Sequence, residues 1–118
     1  MPVVGRVIPW LVLGFALLGL LLGFSEWSNP PFSDEQLRAS LADTWQVHVS
    51  TTRVFLFVFL GLGAISFVLA RRATDSATRI AGFLATAACL AVVLVFLRNH
   101  FALAERTTQL TGQQVSLL

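Results

Sequence analysis

Three long stretches of this chain contain no charged side chain, and they decide what it can fold into. They cover residues 7–24, 54–70 and 80–97. Each is about 18 residues long, close to the roughly 20 residues that a helix needs to cross a bilayer. Since lipid offers the backbone no hydrogen-bond partners, such stretches must be helical. The sequence therefore predicts a single all-α integral membrane domain over 1–118, with transmembrane helices over about 7–24, 53–70 and 79–99.

The composition supports this class and excludes others. Of 118 residues, 56% are hydrophobic and only 12% are charged, with a mean hydropathy of +0.78. Soluble domains carry about 25% charged residues, so a soluble enzyme and a disordered regulator are excluded. All eight basic residues are arginines, and most of them stand at the ends of the apolar blocks rather than on one polar face. We expect contact with the bilayer and none with nucleic acid.

The polar stretch between the first two blocks predicts a short fourth helix over about 33–49. Ser33 begins a capping-box pattern that ends at Gln36, and Leu37, Leu41 and Trp45 recur on one helical face. Such a helix would lie in the headgroup plane or dock on a partner through these three apolar residues. The C-terminal residues 100–118 are polar enough to form a tail outside the bilayer.

Arginine density suggests an orientation. Residues 71–79 contain three arginines in a short turn, and short arginine-rich loops face the cytoplasm. We therefore expect a cytoplasmic N-terminus and an external C-terminus, in a bacterial inner membrane. Arg6 before the first block, and the small residues Gly23 and Ser25 around its end, also fit a cleavable signal peptide, but we favour a retained helix.

Two histidines are the most specific candidates for a cofactor-binding site. His48 and His100 are expected on the same side of the membrane, near the ends of the second and third helices. Two imidazoles can ligate haem b, with Arg53 or Arg98 pairing with its propionates. The same groups could bond a quinone carbonyl. The simpler interpretation, which we favour, is that each histidine is an interfacial polar residue with a hydrogen-bond partner.

Other notable residues are better explained by helix packing than by a catalytic or binding function. Small residues that let helices approach closely stand in all three blocks; they are Gly19, Gly23, Gly61, Gly63, Gly82 and Ala85. They suit contacts within the chain and with partner subunits equally well. The single cysteine, Cys89, excludes an internal disulfide or a CxxC site and is expected to be a packing residue. No metal site and no catalytic constellation is predicted, and no ionisable group stands at a helix centre, where transporters and channels place them.

These features lead to a hypothesis about function. We expect a non-catalytic accessory subunit of a larger integral membrane complex, and specifically of an energy-converting one engaged in respiratory or photosynthetic electron transport. Its partners would be larger membrane subunits. The phenylalanines at the start of the second helix (Phe55, Phe57 and Phe59) need a cover of lipid, pigment or a neighbouring subunit. A self-assembling holin-like pore is a further alternative.

One resemblance supports a second alternative. Around residues 30–60, a proline turn and an amphipathic segment run into the sequence Arg-Val-Phe-Leu-Phe at 53–57. With three helices and a similar length, this layout resembles the smaller membrane anchor of fumarate reductase. The resemblance implies a haem- or quinone-contacting anchor subunit of a succinate dehydrogenase or fumarate reductase complex. Arg71 and Arg72 stand where that anchor has a histidine-rich helix end.

Overall fold

Three long helices make up the computed structural model, which describes residues 3–29, 35 and 41–111 (the backbone alone at 3, 41–44, 110 and 111). Helix α1 spans Val3–Ser28, α2 spans Leu41–Arg72 and α3 spans Ser76–Thr111. Each is long and apolar enough to cross a membrane, over Val4–Ser28, Trp45–Arg72 and Ser76–Gln109. Over the described residues, this confirms the prediction of an all-helical fold with three helices long and apolar enough to span a membrane.

The helices are longer than the apolar blocks that predicted them. They contain 26, 32 and 36 residues, and a rise of about 1.5 Å per residue makes them roughly 39 to 54 Å long. The hydrocarbon core is only about 30 Å thick, so their ends extend into the headgroup region. Helix α3 continues past the expected end at residue 99, and the first part of the predicted tail is therefore helical.

The described residues do not support the predicted separate interfacial helix over 33–49. Residues 41–49 are the first turns of α2, which continues without interruption to Arg72. Residues 41–60 contain no glycine or proline that would break a helix. Leu37 and the other residues of 36–40 lie outside the described residues, as does the side chain of Leu41.

The apolar face of these first turns is used inside the molecule. Trp45 and Val49 are buried in a small cluster with Leu103 and Ala104 of α3. The extension of α3 beyond residue 99 supplies the surface that Trp45 covers. The side chain of Trp45 is therefore covered by α3 of its own chain instead of being left exposed for docking, which corrects the expectation from the sequence.

Helix α3 is the centre of the bundle. It packs against both other helices, whereas α1 and α2 contact each other only slightly. Helices α1 and α3 run parallel and α2 runs antiparallel to both. Their common core draws on all three helices; its buried members are Val12, Ala16, Phe59, Ala85, Cys89, Val92, Val93 and Phe96.

Glycines allow the closest approach between α2 and α3. A Cβ atom built on Gly82 would lie 2.7 Å from the Cβ atom of Ala70 and 2.9 Å from the backbone oxygen of Ser66. One on Gly63 would lie 3.3 Å from the Cβ atom of Cys89. Only glycine at 82 permits this spacing, because the neighbouring atoms belong to backbone or to a Cβ atom.

Two glycines of α1 also stand at close contacts, Gly23 against α3 and Gly19 against a side chain of α2 and one of α3, and the atoms they face belong to side chains. A Cβ atom on Gly23 would lie 2.7 Å from Cγ1 of Val95, and one on Gly19 would lie 2.7 Å from the ring of Phe59. Gly61 differs, since nothing lies within 4 Å of the Cβ position there. Gly61 thus contributes to no helix contact among the described residues.

A short turn joins α2 to α3. Asp75 caps α3, because its Oδ2 atom accepts hydrogen bonds from the backbone N–H of Thr78 at 3.0 Å and from the Thr78 hydroxyl at 2.8 Å. Arg79 donates to the carbonyl oxygen of Ala73 at 2.9 Å, near the end of α2. The hydrogen bonds from Thr78 lower the pKa of Asp75 from its ordinary value of 3.8.

Candidate functional site

The polar residues of interest meet at one end of the bundle. The antiparallel course of α2 brings its first turns beside the last turn of α1 and the C-terminal half of α3. One end of each apolar block lies here. Their polar flanks, separated along the chain, therefore converge on one site.

His48 and His100 are in direct contact. Nε2 of His48 lies 3.0 Å from Nδ1 of His100, and the ring planes are inclined by 11° with centroids 5.1 Å apart. His100 is fully buried and His48 half-buried. Trp45 packs on both imidazoles, with centroid distances of 5.3 and 5.4 Å. The pair joins α2 to α3.

This hydrogen bond restricts the protonation of the two imidazoles. One ring nitrogen must donate a proton and the other must accept it, so the two rings hold complementary states. If both rings were protonated, both nitrogens would be donors and the bond would break. The pair can therefore carry at most one additional proton while it stays intact.

The contact does not fit ligation of one haem iron by both histidines. A metal–imidazole bond is about 2 Å long, so two opposed ligands need about 4 Å between their nitrogen atoms. The observed 3.0 Å is too short for an iron and its macrocycle. The geometry matches the simpler interpretation from the sequence, in which each histidine is a polar residue with a hydrogen-bond partner.

A cavity of about 110 Å³ lies beside His48. Glu26 of α1 and His48 of α2 both line it, and the rings of Phe55 and Phe96 stack on its apolar side with centroids 5.4 Å apart. The remaining lining residues also come from α2; they are Val47, Thr51 and Thr52. A carboxylate, an imidazole, two hydroxyls and two aromatic rings thus surround one space.

A smaller cavity of about 50 Å³ adjoins the same two polar residues, Glu26 and His48. Arg98 lies along its edge with the guanidinium carbon 3.7 Å from the centroid of Trp27, a cation–π contact. Asn99 donates through Nδ2 to the carbonyl oxygen of Gly23 at 2.8 Å. These contacts join the end of α1 to α3.

The structure brings together only three of the four candidate residues predicted from the sequence. His48, His100 and Arg98 lie at the same end of the bundle, and His48 and Arg98 line the smaller cavity together. Arg53 is exposed on α2 and is not among the residues that line either cavity.

Sequence reasoning missed Glu26 and Asn99. Glu26 is half-buried and lines both cavities, and Asn99 forms the hydrogen bond to α1. A signal was present, since each is a polar residue two positions beyond the end of an apolar block. A polar group at that depth must find a partner when a neighbouring helix covers it.

Among the described residues, no group of three or more histidine, cysteine, aspartate or glutamate side chains is arranged to hold a metal ion. Cys89 is buried in the core at 1% exposure. Comparisons with protein-family models, curated proteins and solved structures found no match to this chain.

Proposed function

We propose that this protein is a non-catalytic accessory subunit of a larger integral membrane complex. The observation that carries the proposal is that the helix centres are uncharged and pack against each other. Residues 7–24, 54–70 and 80–97 hold no charged side chain, and the hydroxyl of Thr86 bonds backbone oxygens of Gly63 and Gly82, at 3.3 and 2.9 Å. The bond to Gly63 joins α3 to α2, so this hydroxyl serves the packing of two helices.

The outer surface of α2 supports contact with a partner. Phe57 is 73% exposed, and Gly61, one turn further along, is open to its surroundings. A bulky ring beside a glycine gap forms a ridge and a hollow on the same face, a shape into which another helix packs well. We propose that a helix of a larger subunit covers this face. The expectation of a respiratory or photosynthetic complex remains a prediction from the sequence.

The test is purification of the chain from its native membrane in mild detergent, followed by native mass spectrometry. We expect a fixed stoichiometry with larger membrane subunits. The variant Gly61→Leu should reduce recovery of those subunits at least fivefold. Gly14→Leu is the matched control, since nothing lies within 4 Å of the Cβ position of Gly14 either, and it stands on α1. It should leave recovery unchanged.

The outcomes separate the alternatives. A stable monomer without partners would contradict the accessory function. Large homo-oligomers would instead support the pore hypothesis. If Gly14→Leu reduced recovery and Gly61→Leu did not, the partner would lie on α1, and the docking face named above would be wrong.

A further inference from the structure

Four arginines stand at the end of the bundle that carries the short turn. They are Arg6, Arg71, Arg72 and Arg79, and we call this set the arginine end. Because α2 runs antiparallel to α1 and α3, the start of α1, the end of α2 and the start of α3 lie together here. Arg6, Arg71 and Arg79 are each the first residue outside an uncharged block. The arginine end therefore lies at the boundary of the hydrocarbon core, at the depth of the lipid headgroups.

The two ends of the bundle differ in charge. The arginine end combines its four guanidinium groups with one acid, Asp75, so its formal charge is +3. The sequence that flanks the other ends of the blocks, residues 25–53 and 98–106, contains five acids and four arginines, with a formal charge of −1. Helix dipoles add to this difference, because two helix N-termini and one C-terminus lie at the arginine end. The arginine end thus attracts anions.

The one acid at this end does not neutralise the arginines. Its Oδ2 atom accepts two hydrogen bonds from Thr78, and its Oδ1 atom has no hydrogen-bond partner among the described residues. The hydrogen bonds from Thr78 are the main cause of the lowered pKa of Asp75, and the charge of Arg6 adds to it. Arg6 of α1 is therefore close enough to the turn between α2 and α3 to act on it electrostatically.

Two of the four guanidinium groups have partners within the protein. Arg79 donates to a backbone carbonyl near the end of α2, and the guanidinium carbon of Arg71 lies 5.9 Å from the centroid of Phe67. Arg6 and Arg72 are exposed and, in the part of the chain that the structure describes, form neither a hydrogen bond nor an ion pair. Both keep their charge at any accessible pH, so an anion at headgroup depth can bind to them.

We propose that the arginine end binds the phosphate of an anionic diacyl phospholipid, with Arg6 and Arg72 as the residues that contact it. A guanidinium donates two parallel hydrogen bonds to phosphate oxygens, and basic sites between transmembrane helices bind such headgroups. The acyl chains cover exposed apolar side chains nearer the membrane centre, among them Val7, Val68 and Ile80. This inference is independent of the accessory function, because it concerns lipid and not a partner subunit.

Depth and charge favour an anionic lipid over other ligands. A zwitterionic headgroup carries a cation, which a formal charge of +3 repels. A soluble phosphate ion gains nothing from the exposed apolar surface beside the arginines. An acidic segment of another protein would have to bring its carboxylates to the hydrocarbon boundary and lose part of their hydration, whereas the phosphate of a phospholipid already lies there.

The experiment uses the full chain in mild detergent and native mass spectrometry, which counts bound lipids. The probes are phosphatidylglycerol and phosphatidylcholine with identical acyl chains. We expect saturable binding of phosphatidylglycerol, with a Kd about tenfold below that of phosphatidylcholine. Equal Kd values would overturn the proposal and leave an acidic protein segment as the candidate ligand. Inorganic phosphate at millimolar concentration should not displace the lipid; displacement would overturn the assignment to a lipid.

Two arginines of α2 provide a matched pair of variants. Arg72→Gln and Arg53→Gln remove the same charge from exposed positions at opposite ends of the helix. Since one arginine near an anionic headgroup strengthens binding about fivefold, Arg72→Gln should raise the Kd for phosphatidylglycerol about fivefold. Arg6→Gln should do the same, whereas Arg53→Gln should change the Kd less than about twofold. Equal effects of Arg72→Gln and Arg53→Gln would show a response to net charge alone and would overturn the site.

Removal of the one acid tests the charge argument with the opposite sign. Asp75→Asn retains a side-chain oxygen that can accept the hydrogen bonds from Thr78, and it raises the formal charge of the arginine end by one. It should therefore lower the Kd for phosphatidylglycerol about twofold to fivefold. Protection of the buried Cys89 from a thiol reagent shows that each variant is folded. A raised Kd in folded Asp75→Asn would overturn the proposal.

Discussion

Replacing Gly82 with alanine should force α2 and α3 apart. The added Cβ atom would lie 2.7 Å from the Cβ atom of Ala70, 3.1 Å from its Cα atom and 2.9 Å from the backbone oxygen of Ser66. Ordinary contact begins near 3.4 Å, so the helices must separate locally by about 0.7 Å. None of the three atoms belongs to a flexible side chain, and the strain cannot be relieved by a rotamer change.

The size of the effect follows from a matched comparison. Gly61→Ala also adds one methyl group to a helical glycine, but nothing lies within 4 Å of it. Both variants gain about the same helix propensity, up to about 1 kcal/mol, and this gain cancels between them. Overpacking of a tight contact costs about 1–3 kcal/mol. We therefore expect Gly82→Ala to be about 1–3 kcal/mol less stable to unfolding than Gly61→Ala.

The single cysteine reports the separation of these helices. Cys89 is 1% exposed and packs beside Gly63 in the α2–α3 contact, so it should react with a thiol reagent only when that contact opens. Titration with SDS in mixed micelles, with Cys89 modification as the readout, gives the unfolding midpoint of each variant. Equal midpoints for Gly82→Ala and Gly61→Ala would refute the argument from close packing.

The remaining predictions concern single contacts at the two ends of the bundle. The pKa of Asp75 is held below 3.8 by Thr78, so its contribution to stability is present above that pH and is lost as the pH falls through the lowered pKa. Asparagine cannot be protonated in this range, so the stability of Asp75→Asn should fall less than that of the unmodified protein between pH 5 and pH 3. An identical pH profile for the two proteins would contradict this. Asn99→Leu removes a hydrogen bond to a backbone carbonyl of α1, which should cost about 0.6–1 kcal/mol in SDS titration; a gain in stability would argue against the bond. Arg98→Gln removes the cation–π contact with Trp27 and should cost about 0.5–1 kcal/mol. It should also change the Trp27 emission, and an identical spectrum would exclude the contact.

Local composition alone determined the class of this protein and its three spanning helices. Residues 7–24, 54–70 and 80–97 are uncharged, and a long apolar stretch in lipid has no alternative to helix. The short turn near Asp75 was evident for the same reason, since polar residues interrupt two long apolar runs. These properties depend on neighbouring residues and the solvent, and so a single sequence is enough to infer them.

Tertiary packing decided the polar site and the true extent of α2. Taken by themselves, residues 41–49 predict an interfacial helix. In the structure they are the first turns of α2, and the extended end of α3 buries Trp45. Likewise, the sequence placed His48 and His100 at the same end of the bundle, but only the packed helices show that they bond each other and that Glu26 shares a cavity with His48. These contacts depend on the rotation and spacing of three helices, which close approaches such as that at Gly82 set jointly. No single segment carries that information, because each contact joins residues that are far apart along the chain.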